Sequence, residues 1–208
     1  MQGLNPQSVR GRIRSWIQAH AGKLGDDVLE IGSRMHTPNA WWVNNRDIAR
    51  GQWTGIDMQP GENVDRVADI HCLPDEWAGR FSGVLCSEVL EHVSRPWVAL
   101  PKVCEVIRPG GWIIVTTLFS FPIHAFPNDF YRYTREGLHL LLADAGFDSI
   151  ATAYAGQIQY HLNDRGERGH VVRDAPMHVF GVAQRPLLPK SSAQNCGDHS
   201  LADAELGS

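Results

Sequence analysis

The stretch VLEIGSRMH, residues 28–36, joins an apolar run to a carboxylate, a glycine and then an arginine. An apolar run that ends at a glycine is typical of a buried strand followed by a turn. Glu30 and Gly32 stand at the end of this predicted strand, where α/β sheets place groups that bind ligands. Many α/β proteins contain a strand followed by a glycine turn, so the meaning of this stretch depends on the residues that follow it.

Six further apolar runs predict strands, and the intervals between several of them leave room for helices. These runs are WTGIDM (53–58), DRVADI (65–70), FSGVLC (81–86), GWIIVTT (111–117), FDSIATAYA (147–155) and MHVFGVAQ (177–184). Continuous apolar runs are typical of central parallel strands that are covered on both faces. The alternation predicts an α/β fold with an open, doubly wound parallel sheet, in which ligands bind beyond the carboxyl ends of the strands.

Three helices accompany these strands. Residues 8–24 carry apolar side chains on one face and predict an N-terminal helix that packs against the sheet. Residues 97–107 predict a second helix, which Pro101 should kink or force to restart, because proline lacks a backbone donor. Residues 135–146 predict a third helix, with Thr134 as its N-cap.

The chain of 208 residues is long enough for one domain with a proper core. Residues 1–24 form the predicted N-terminal helix, and residues 25–185 form the predicted cofactor-binding domain. Residues 186–208 are rich in small and acidic residues and show no periodicity, so we predict a disordered tail there.

Composition argues against several classes of protein. The net charge is −4, which provides no broad basic field for nucleic acid. The longest apolar runs fall short of the ~18 residues of a membrane span, and the N-terminus lacks the apolar stretch of a signal peptide. Four scattered cysteines without a C-x-x-C pair predict reduced thiols in a cytoplasmic protein and no metal site.

Polar residues stand at the ends of four predicted strands. Glu30 and Gly32 end the first strand, Asp57 the second and Asp69 the third, and Ser87 and Glu88 follow the fourth. An aspartate that closes the second strand can accept hydrogen bonds from both hydroxyls of a ribose, since a carboxylate offers two acceptor oxygens. Each residue alone could be a turn or cap residue, but four such groups at successive strand ends favour a binding site.

The chain resembles the class I S-adenosylmethionine-dependent methyltransferases, in the broad group that includes ubiquinone and small-molecule methyltransferases. The resemblance covers roughly residues 26–150. Its motifs are VLEIGS, WTGIDM, VADIHCLP, FSGVLCSEVLEHV, VIRPGGWIIVTT and FPIHAFPNDFYRYTREGLHLLLADAGF. Each motif alone is a weak signal, whereas SEVLEHV followed at this spacing by RPGG is specific.

The resemblance implies a Rossmann-like class I methyltransferase fold, in which a doubly wound, mostly parallel seven-stranded sheet has an antiparallel last strand at its edge. It implies an enzyme that uses S-adenosyl-L-methionine and releases S-adenosyl-L-homocysteine. The acceptor that it implies is a small molecule or a sugar, methylated on oxygen.

The resemblance also implies which residues bind the cofactor: Glu30, Gly32, Ser33, Asp57, Met58, Asp69, Ile70, Cys86 and Ser87. In this assignment Asp57 holds the ribose hydroxyls and Met58 packs on the adenine. Asp69 accepts a hydrogen bond from the adenine amino group, with Ile70 beside the ring. A backbone carbonyl at residue 86 or 87 binds the ammonium of the methionine part, and Glu30 orients the first loop.

The first loop departs from the family pattern. The usual Gly-x-Gly-x-Gly is reduced to Gly32, and Arg34 and His36 occupy the other glycine positions, so we expect a different loop path. A nicotinamide-dependent dehydrogenase would need G-x-G-x-x-G to rest a pyrophosphate on a helix N-terminus, and only Gly32 of that pattern exists. Adenosylmethionine carries no phosphate and tolerates the loss. A G-x-S-x-G hydrolase elbow is also absent from the sequence.

The loop beyond the fifth strand supplies the candidates for the acceptor side. A hydroxyl acceptor requires a general base, and histidine suits that role at neutral pH. His124 is the first candidate base and His71, beside Asp69, the second. Asp129, Tyr131 and Arg132 are predicted to bind the acceptor, with Arg132 as a bidentate fork for a carboxylate or phosphate. The alternative is a packed lid in which the loop's aromatic residues bury one another.

Two other functions stay open. Methylation of nucleic acid or protein is disfavoured by the net charge and by CSEV standing where an N-P-P-[YF] motif would be expected. A methyltransferase-fold partner subunit without catalytic activity is the second alternative, suggested by the altered glycine loop.

Overall fold

The computed structural model describes residues 8–35, 45–125, 127–163 and 170–188. Its strands are β1 (Asp27–Ile31), β2 (Gln52–Asp57), β3 (Arg66–Val67), β4 (Phe81–Ser87), β5 (Ile107–Leu118), β6 (Asp148–Asn163) and β7 (His170–Gln184). Its α-helices are α1 (Val9–His20), α2 (Pro96–Val106) and α3 (Arg135–Asp144).

The strands form one sheet in the order β3-β2-β1-β4-β5-β7-β6. Strands β1 to β5 pair in parallel, and β7 pairs antiparallel with both β5 and β6. The strand order reverses at β1, which lies between β2 and β4, and this switch point opens a crevice at the carboxyl ends. The predicted fold class is confirmed. The last strand differs in one respect, since β7 lies between β5 and β6 and β6 forms the edge.

Local differences from the predicted elements have local causes. The third strand is only Arg66–Val67, because the Asp69 side chain accepts a hydrogen bond from the backbone N–H of His71 at 2.9 Å and starts a 3-10 turn over Ile70–Cys72. Helix α2 runs through Pro101 as one element and does not restart. Strands β6 and β7 extend well past the predicted limits, as one long antiparallel hairpin.

Helix α1 covers one face of the sheet. Ser8 caps its N-terminus by accepting a hydrogen bond from the Gly11 backbone N–H at 3.1 Å, and a 3-10 turn continues the chain over Ala21–Lys23. Ile17 is buried in a cluster with Val28 of β1 and Leu85 of β4. Alternate residues of a strand share a face, so Glu30 is directed toward the side of the sheet that α1 covers.

Of the predicted tail, only residues 186–188 belong to the described part, and Leu187 and Leu188 are exposed there. Residues 189–208 lie outside the described residues. None of the helices in the described part has the length and apolar character that crossing a membrane requires.

Candidate active site

A cavity of about 540 Å³ opens at the carboxyl ends of β1 and β4. Helix α1 forms one wall, and the segment after β5 together with β7 forms the opposite wall. Five of the predicted site residues line it: Glu30, Gly32, Ser33, Ser87 and His124. These residues lie at or near the ends of the first and fourth strands and in the segment after β5, and their roles in binding stay predictions.

The first loop turns sharply at Gly32. This residue has φ +72°, and its backbone N–H donates to the Ile56 carbonyl at 2.9 Å. A Cβ atom on Gly32 would lie 2.4 Å from Cγ2 of Val89, so this position requires a glycine. Arg34 also lines the cavity, and its Nη1 donates to Oε1 of Gln59, beyond the end of β2, at 2.6 Å. This explains how the loop accommodates an arginine. His36 lies outside the described residues.

Glu30 is a buried carboxyl group with one described hydrogen-bond donor. Its side chain is 5% exposed, and Nδ2 of Asn45 donates to Oε1 at 2.7 Å. Burial raises the pKa of Glu30 to about 7, although the Asn45 hydrogen bond and the Arg46 charge act in the opposite direction. Sequence reasoning missed Asn45, because nothing in its local pattern links it to the first strand.

The residues predicted to bind adenosine lie beside the cavity, along the ends of β2 and β3. Asp57 accepts a hydrogen bond from the Gln59 backbone N–H at 2.9 Å, and Met58 is 70% exposed. Ile70 is buried. Burial acts to raise the pKa of Asp69, but the hydrogen bonds and charge of His71 outweigh it and leave that pKa lowered.

The second candidate base is not brought to the cavity. Nδ1 of His71 lies 2.7 Å from Oδ1 of Asp69, and His71 is absent from the cavity lining. It fixes the orientation of the Asp69 carboxylate, so the structure does not support His71 as the base.

Cys86 and Ser87, the last two residues of β4, lie in different environments. The Cys86 side chain is fully buried, and burial raises the pKa of its thiol, with the charges of Glu91 and Glu88 acting in the same direction. Ser87 lines the cavity, and its Oγ lies 2.8 Å from Oγ1 of Thr116. Of the two residues whose carbonyl oxygen was predicted to accept a hydrogen bond from the ligand's ammonium, the structure favours Ser87, because it lines the cavity.

Two groups on the cavity wall, the Glu91 carboxyl and the His178 imidazole, were missed by the sequence analysis, whereas Glu88 was singled out at the end of the fourth strand without a role. Oε2 of Glu88 lies 3.1 Å from Nε2 of His178. Glu91 is 1% exposed and accepts a hydrogen bond from Oγ1 of Thr117 at 2.7 Å. Burial, reinforced by the neighbouring charge of Glu88, raises the pKa of Glu91 to about 8. The motif SEVLEHV contained the two glutamates, but only β7, far along the chain, brings His178 to them.

His124, the first candidate base, lies on the cavity wall. Its backbone N–H donates to Oδ2 of Asp129 at 2.8 Å, and its Nδ1 lies 3.4 Å from the same oxygen. Its ring packs edge-on against Phe121 and His92, at centroid distances of 5.2 and 4.8 Å. His124, His92 and Glu91 each offer one ligand atom, and these atoms lie within 4.8 Å of one another, a spacing that a metal ion could bridge. The absence of a metal site stays a prediction.

The three residues predicted to bind the acceptor instead hold the loop together. Arg132 donates through Nη1 and Nη2 to the two carboxylate oxygens of Asp129, at 2.6 and 2.8 Å, and also to the Phe121 carbonyl at 3.2 Å. The Arg132 hydrogen bonds hold the pKa of Asp129 well below its usual range. The Tyr131 hydroxyl donates to the Ser94 carbonyl at 3.0 Å. None of these three side chains lines the cavity, so the structure favours a clamping role for the pair and an anchoring role for Tyr131.

Two arginines of α1 line the cavity as well. Packing of α1 on the sheet brings Arg10 and Arg14 to the cavity wall. Arg14 also donates to both carboxylate oxygens of Asp47, at 3.0 and 2.8 Å. The cavity therefore has a cationic side on α1 and a side with carboxyl and imidazole groups on β4 and β7.

The raised pKa values of Glu30 and Glu91 predict that stability falls as pH rises from about 5 to about 8. The folded protein keeps both protons up to pKa values of about 7 and 8, whereas the unfolded chain releases them near 4.5. The stabilisation is complete below the unfolded pKa and is lost as pH rises through the folded pKa. Each group should contribute a slope of about 1.4 kcal/mol per pH unit within its own interval.

Thermal unfolding between pH 5 and pH 8 measures this slope. Glu30→Gln should flatten the curve below pH 7, while Glu62→Gln, at an exposed position, should leave it unchanged. A melting temperature that rises over this range in the parent protein would contradict the expected protonation of both groups.

The strand order, the switch-point crevice and the carboxylates at the ends of β1, β2 and β3 define the class of protein: a class I S-adenosylmethionine-dependent methyltransferase. The Methyltransferase domain family matches residues 7–152, and the chain belongs to that family.

Similar proteins agree with this membership. The ubiquinone biosynthesis O-methyltransferase of Burkholderia pseudomallei is 31% identical over 213 residues, which cover 95% of this chain and 83% of that protein. The ubiquinone biosynthesis O-methyltransferase of Bordetella bronchiseptica is 31% identical over 122 residues, and the match spans about half of each protein, 51% of this chain and 49% of that one.

Solved structures share the fold at low sequence identity. A SAM-dependent methyltransferase from Archaeoglobus fulgidus has a TM-score of 0.61 at 12% identity, covering 85% of this chain and 95% of that one. The 1,6-didemethyltoxoflavin-N1-methyltransferase of Burkholderia thailandensis, with bound 1,6-didemethyltoxoflavin and S-adenosylhomocysteine, has a TM-score of 0.56 at 16% identity, covering 86% and 79%.

Proposed function

We propose that this chain transfers a methyl group from S-adenosylmethionine to a hydroxyl group of a small-molecule acceptor. The observation that carries the proposal is the cavity of about 540 Å³ at the switch point, which is lined by carboxyl and imidazole groups next to Gly32. The relatives whose names specify O-methylation support oxygen as the methylated atom. Concave sites of this size are typical of small-molecule binding.

The cofactor in this proposal extends along the carboxyl ends of the strands. The hydroxyls of its ribose bind Asp57, and its adenine ring lies between Met58 and Ile70. The adenine amino group donates a hydrogen bond to Asp69. The exposed Met58 side chain is available to cover a ring.

The methionine part of the cofactor would lie in the cavity over Gly32. Oγ of Ser33 is buried and lacks a partner among the described residues, so this orphaned hydroxyl fits a polar atom of the cofactor. The cationic side chains of Arg10 and Arg14 complement the carboxylate of the methionine part, and the carbonyl of Ser87 its ammonium.

When bound, adenosylmethionine supplies a methyl group already activated by its sulfonium, so the protein mainly aligns the acceptor and excludes water. Ile13 and Ile17 of α1 form one apolar part of the lining, and Leu118, Phe121 and Met177 form another. The Arg132–Asp129 clamp fixes the loop that carries Phe121 and His124, which keeps this wall in place.

Calorimetry with adenosylmethionine, followed by a screen for release of adenosylhomocysteine, tests the proposal. The screen should include catechols, other alcohols, amines, thiols, a transfer RNA and a protein extract. We expect micromolar binding and release with at least one hydroxyl acceptor. A chain that produces no heat would be a partner subunit, and release only with RNA or protein would establish the other alternative.

A further inference from the structure

Glu88 is held in a backbone conformation that glutamate rarely adopts. It follows the last residue of β4 with φ +55°, and its backbone N–H donates to the Thr116 carbonyl at 2.8 Å. This left-handed region favours glycine and asparagine. Strained non-glycine residues persist where the surrounding structure requires them, and they cluster at functional sites.

The strained backbone directs the Glu88 carboxylate to the cavity wall, where its two oxygens differ. Oε2 lies 3.1 Å from Nε2 of His178, whose side chain is 4% exposed and therefore fixed in position. Oε1 is buried and has no hydrogen-bond partner among the described residues. A buried carboxylate oxygen without a donor is costly unless a ligand supplies one. A hydroxyl group bound in the cavity would supply that donor.

Among the acidic and imidazole groups of the cavity wall, Glu88 combines a fixed partner, His178, with an oxygen that has no partner among the described residues. Glu91 already accepts a hydrogen bond from Oγ1 of Thr117 at 2.7 Å, and burial raises its pKa. His124 packs its ring against Phe121 and His92, and its Nδ1 lies 3.4 Å from Oδ2 of Asp129 without a hydrogen bond. The other charged or titratable side chains on the cavity wall are Glu30, Arg10, Arg14 and Arg34.

We propose that Glu88 is the general base that takes the proton of the acceptor hydroxyl, and that His178 positions its carboxylate. This inference rests on the proposed function. As the acceptor O–H bond breaks, the proton passes to Oε1 and the oxygen electron pair forms a bond to the methyl carbon. The carbon–sulfur bond breaks at the same time, and its electron pair stays on sulfur as the neutral thioether. Glu88 releases the proton to solvent when the products leave.

The decisive variant is Glu88→Gln, which keeps the shape of the side chain. The substrate is the hydroxyl acceptor with which the parent forms adenosylhomocysteine fastest in the screen. We expect kcat of the variant to be about 10²–10⁴-fold lower with this acceptor, because that is the usual contribution of a general base. Adenosylmethionine affinity should stay within about three-fold of the parent, which also reports that the variant is folded. Glu62→Gln serves as the matched control at an exposed site and should retain full activity.

Glu88→Gly separates strain from catalysis. Glycine relieves the positive φ, so the melting temperature should be equal to or higher than that of the parent, while kcat should fall as in Glu88→Gln. A glycine variant that retains the parent kcat would overturn the proposal.

The positioning role of His178 is tested by comparing His178→Asn with His178→Ala. Asparagine keeps a side-chain N–H donor for Oε2 of Glu88 and alanine removes it, so kcat should fall about ten-fold in His178→Ala and recover in part in His178→Asn, with adenosylmethionine affinity within about three-fold of the parent. An equal loss of kcat in the two variants, or a kcat that simply follows the melting temperature, would overturn the assignment to His178.

The outcomes distinguish failure of the inference from failure of the function. If the parent methylates a hydroxyl acceptor and Glu88→Gln keeps kcat within three-fold of the parent, the role of Glu88 is refuted. His124 would then again be the first candidate base. If the parent forms adenosylhomocysteine with none of the hydroxyl acceptors in the screen, the proposed function is refuted, and so is the role of Glu88.

Discussion

Replacing Asp57 by alanine is expected to weaken adenosylmethionine binding by one to two decades, with little change in the melting temperature. Asp57 ends β2 beside the switch point, and within the described residues its side chain accepts one hydrogen bond, from the Gln59 backbone N–H at 2.9 Å. The other carboxylate oxygen is therefore available to the ribose hydroxyls. Losing a charged acceptor costs ~1.5–3 kcal/mol, which corresponds to one to two decades of affinity.

Calorimetric titration measures this loss of affinity. Two further variants serve as a conservative replacement and as a control. Asp57→Asn keeps one acceptor oxygen and should lose less affinity than Asp57→Ala. Glu62→Ala removes an exposed carboxylate from the following loop and should bind the cofactor as the parent does. If Asp57→Ala and Glu62→Ala bind equally well, the ribose does not lie at the end of β2.

Replacing Gly32 by alanine is expected to destabilise the protein and to abolish measurable cofactor binding. The left-handed backbone at φ +72° costs about 1–2 kcal/mol for a non-glycine residue. The new Cβ would also lie 2.4 Å from Cγ2 of Val89, and overpacking of this kind costs about 1–3 kcal/mol. In a chain of this size each kcal/mol lowers the melting temperature by about 2–4 °C. The displaced loop would also lose its close approach to the cofactor.

A double-mutant cycle separates the two contributions. Adding Val89→Ala removes the contacting methyl group, so it should recover the overpacking part and leave the cost of the positive φ. Gly22→Ala is the matched control, because nothing lies within 4 Å of a Cβ at that position. If Gly32→Ala melts and binds as Gly22→Ala does, the loop is free to take another path.

The apolar runs were sufficient to predict the sheet, because a strand covered on both faces needs such a run whatever its neighbours are. The same runs place Glu30 near the end of β1 and Asp57 at the end of β2, whereas Asp69 lies two residues beyond β3. Parallel strands bring their carboxyl ends to one edge, so position along each strand already determines position at the crevice. The strand pattern also indicated a glycine turn at Gly32, and φ +72° there agrees with it.

The acceptor side could not be predicted in this way, because its side chains have several possible partners. Arg132 was expected to bind a ligand. In the folded loop its guanidinium instead donates to the Asp129 carboxylate, with Nη1 2.6 Å from Oδ1. His71 was a candidate base until the 3-10 turn placed it against Asp69.

Tertiary structure alone decided the groups that face each other across the cavity. Asn45 reaches Glu30 from a connecting segment, and His178 reaches Glu88 from a strand about 90 residues further along the chain. Short-range patterns carry the backbone's hydrogen bonding and the burial of each element, so they predicted the fold class and the strand ends. The distances between side chains from different elements, and the pKa values that depend on them, arise only when those elements pack together.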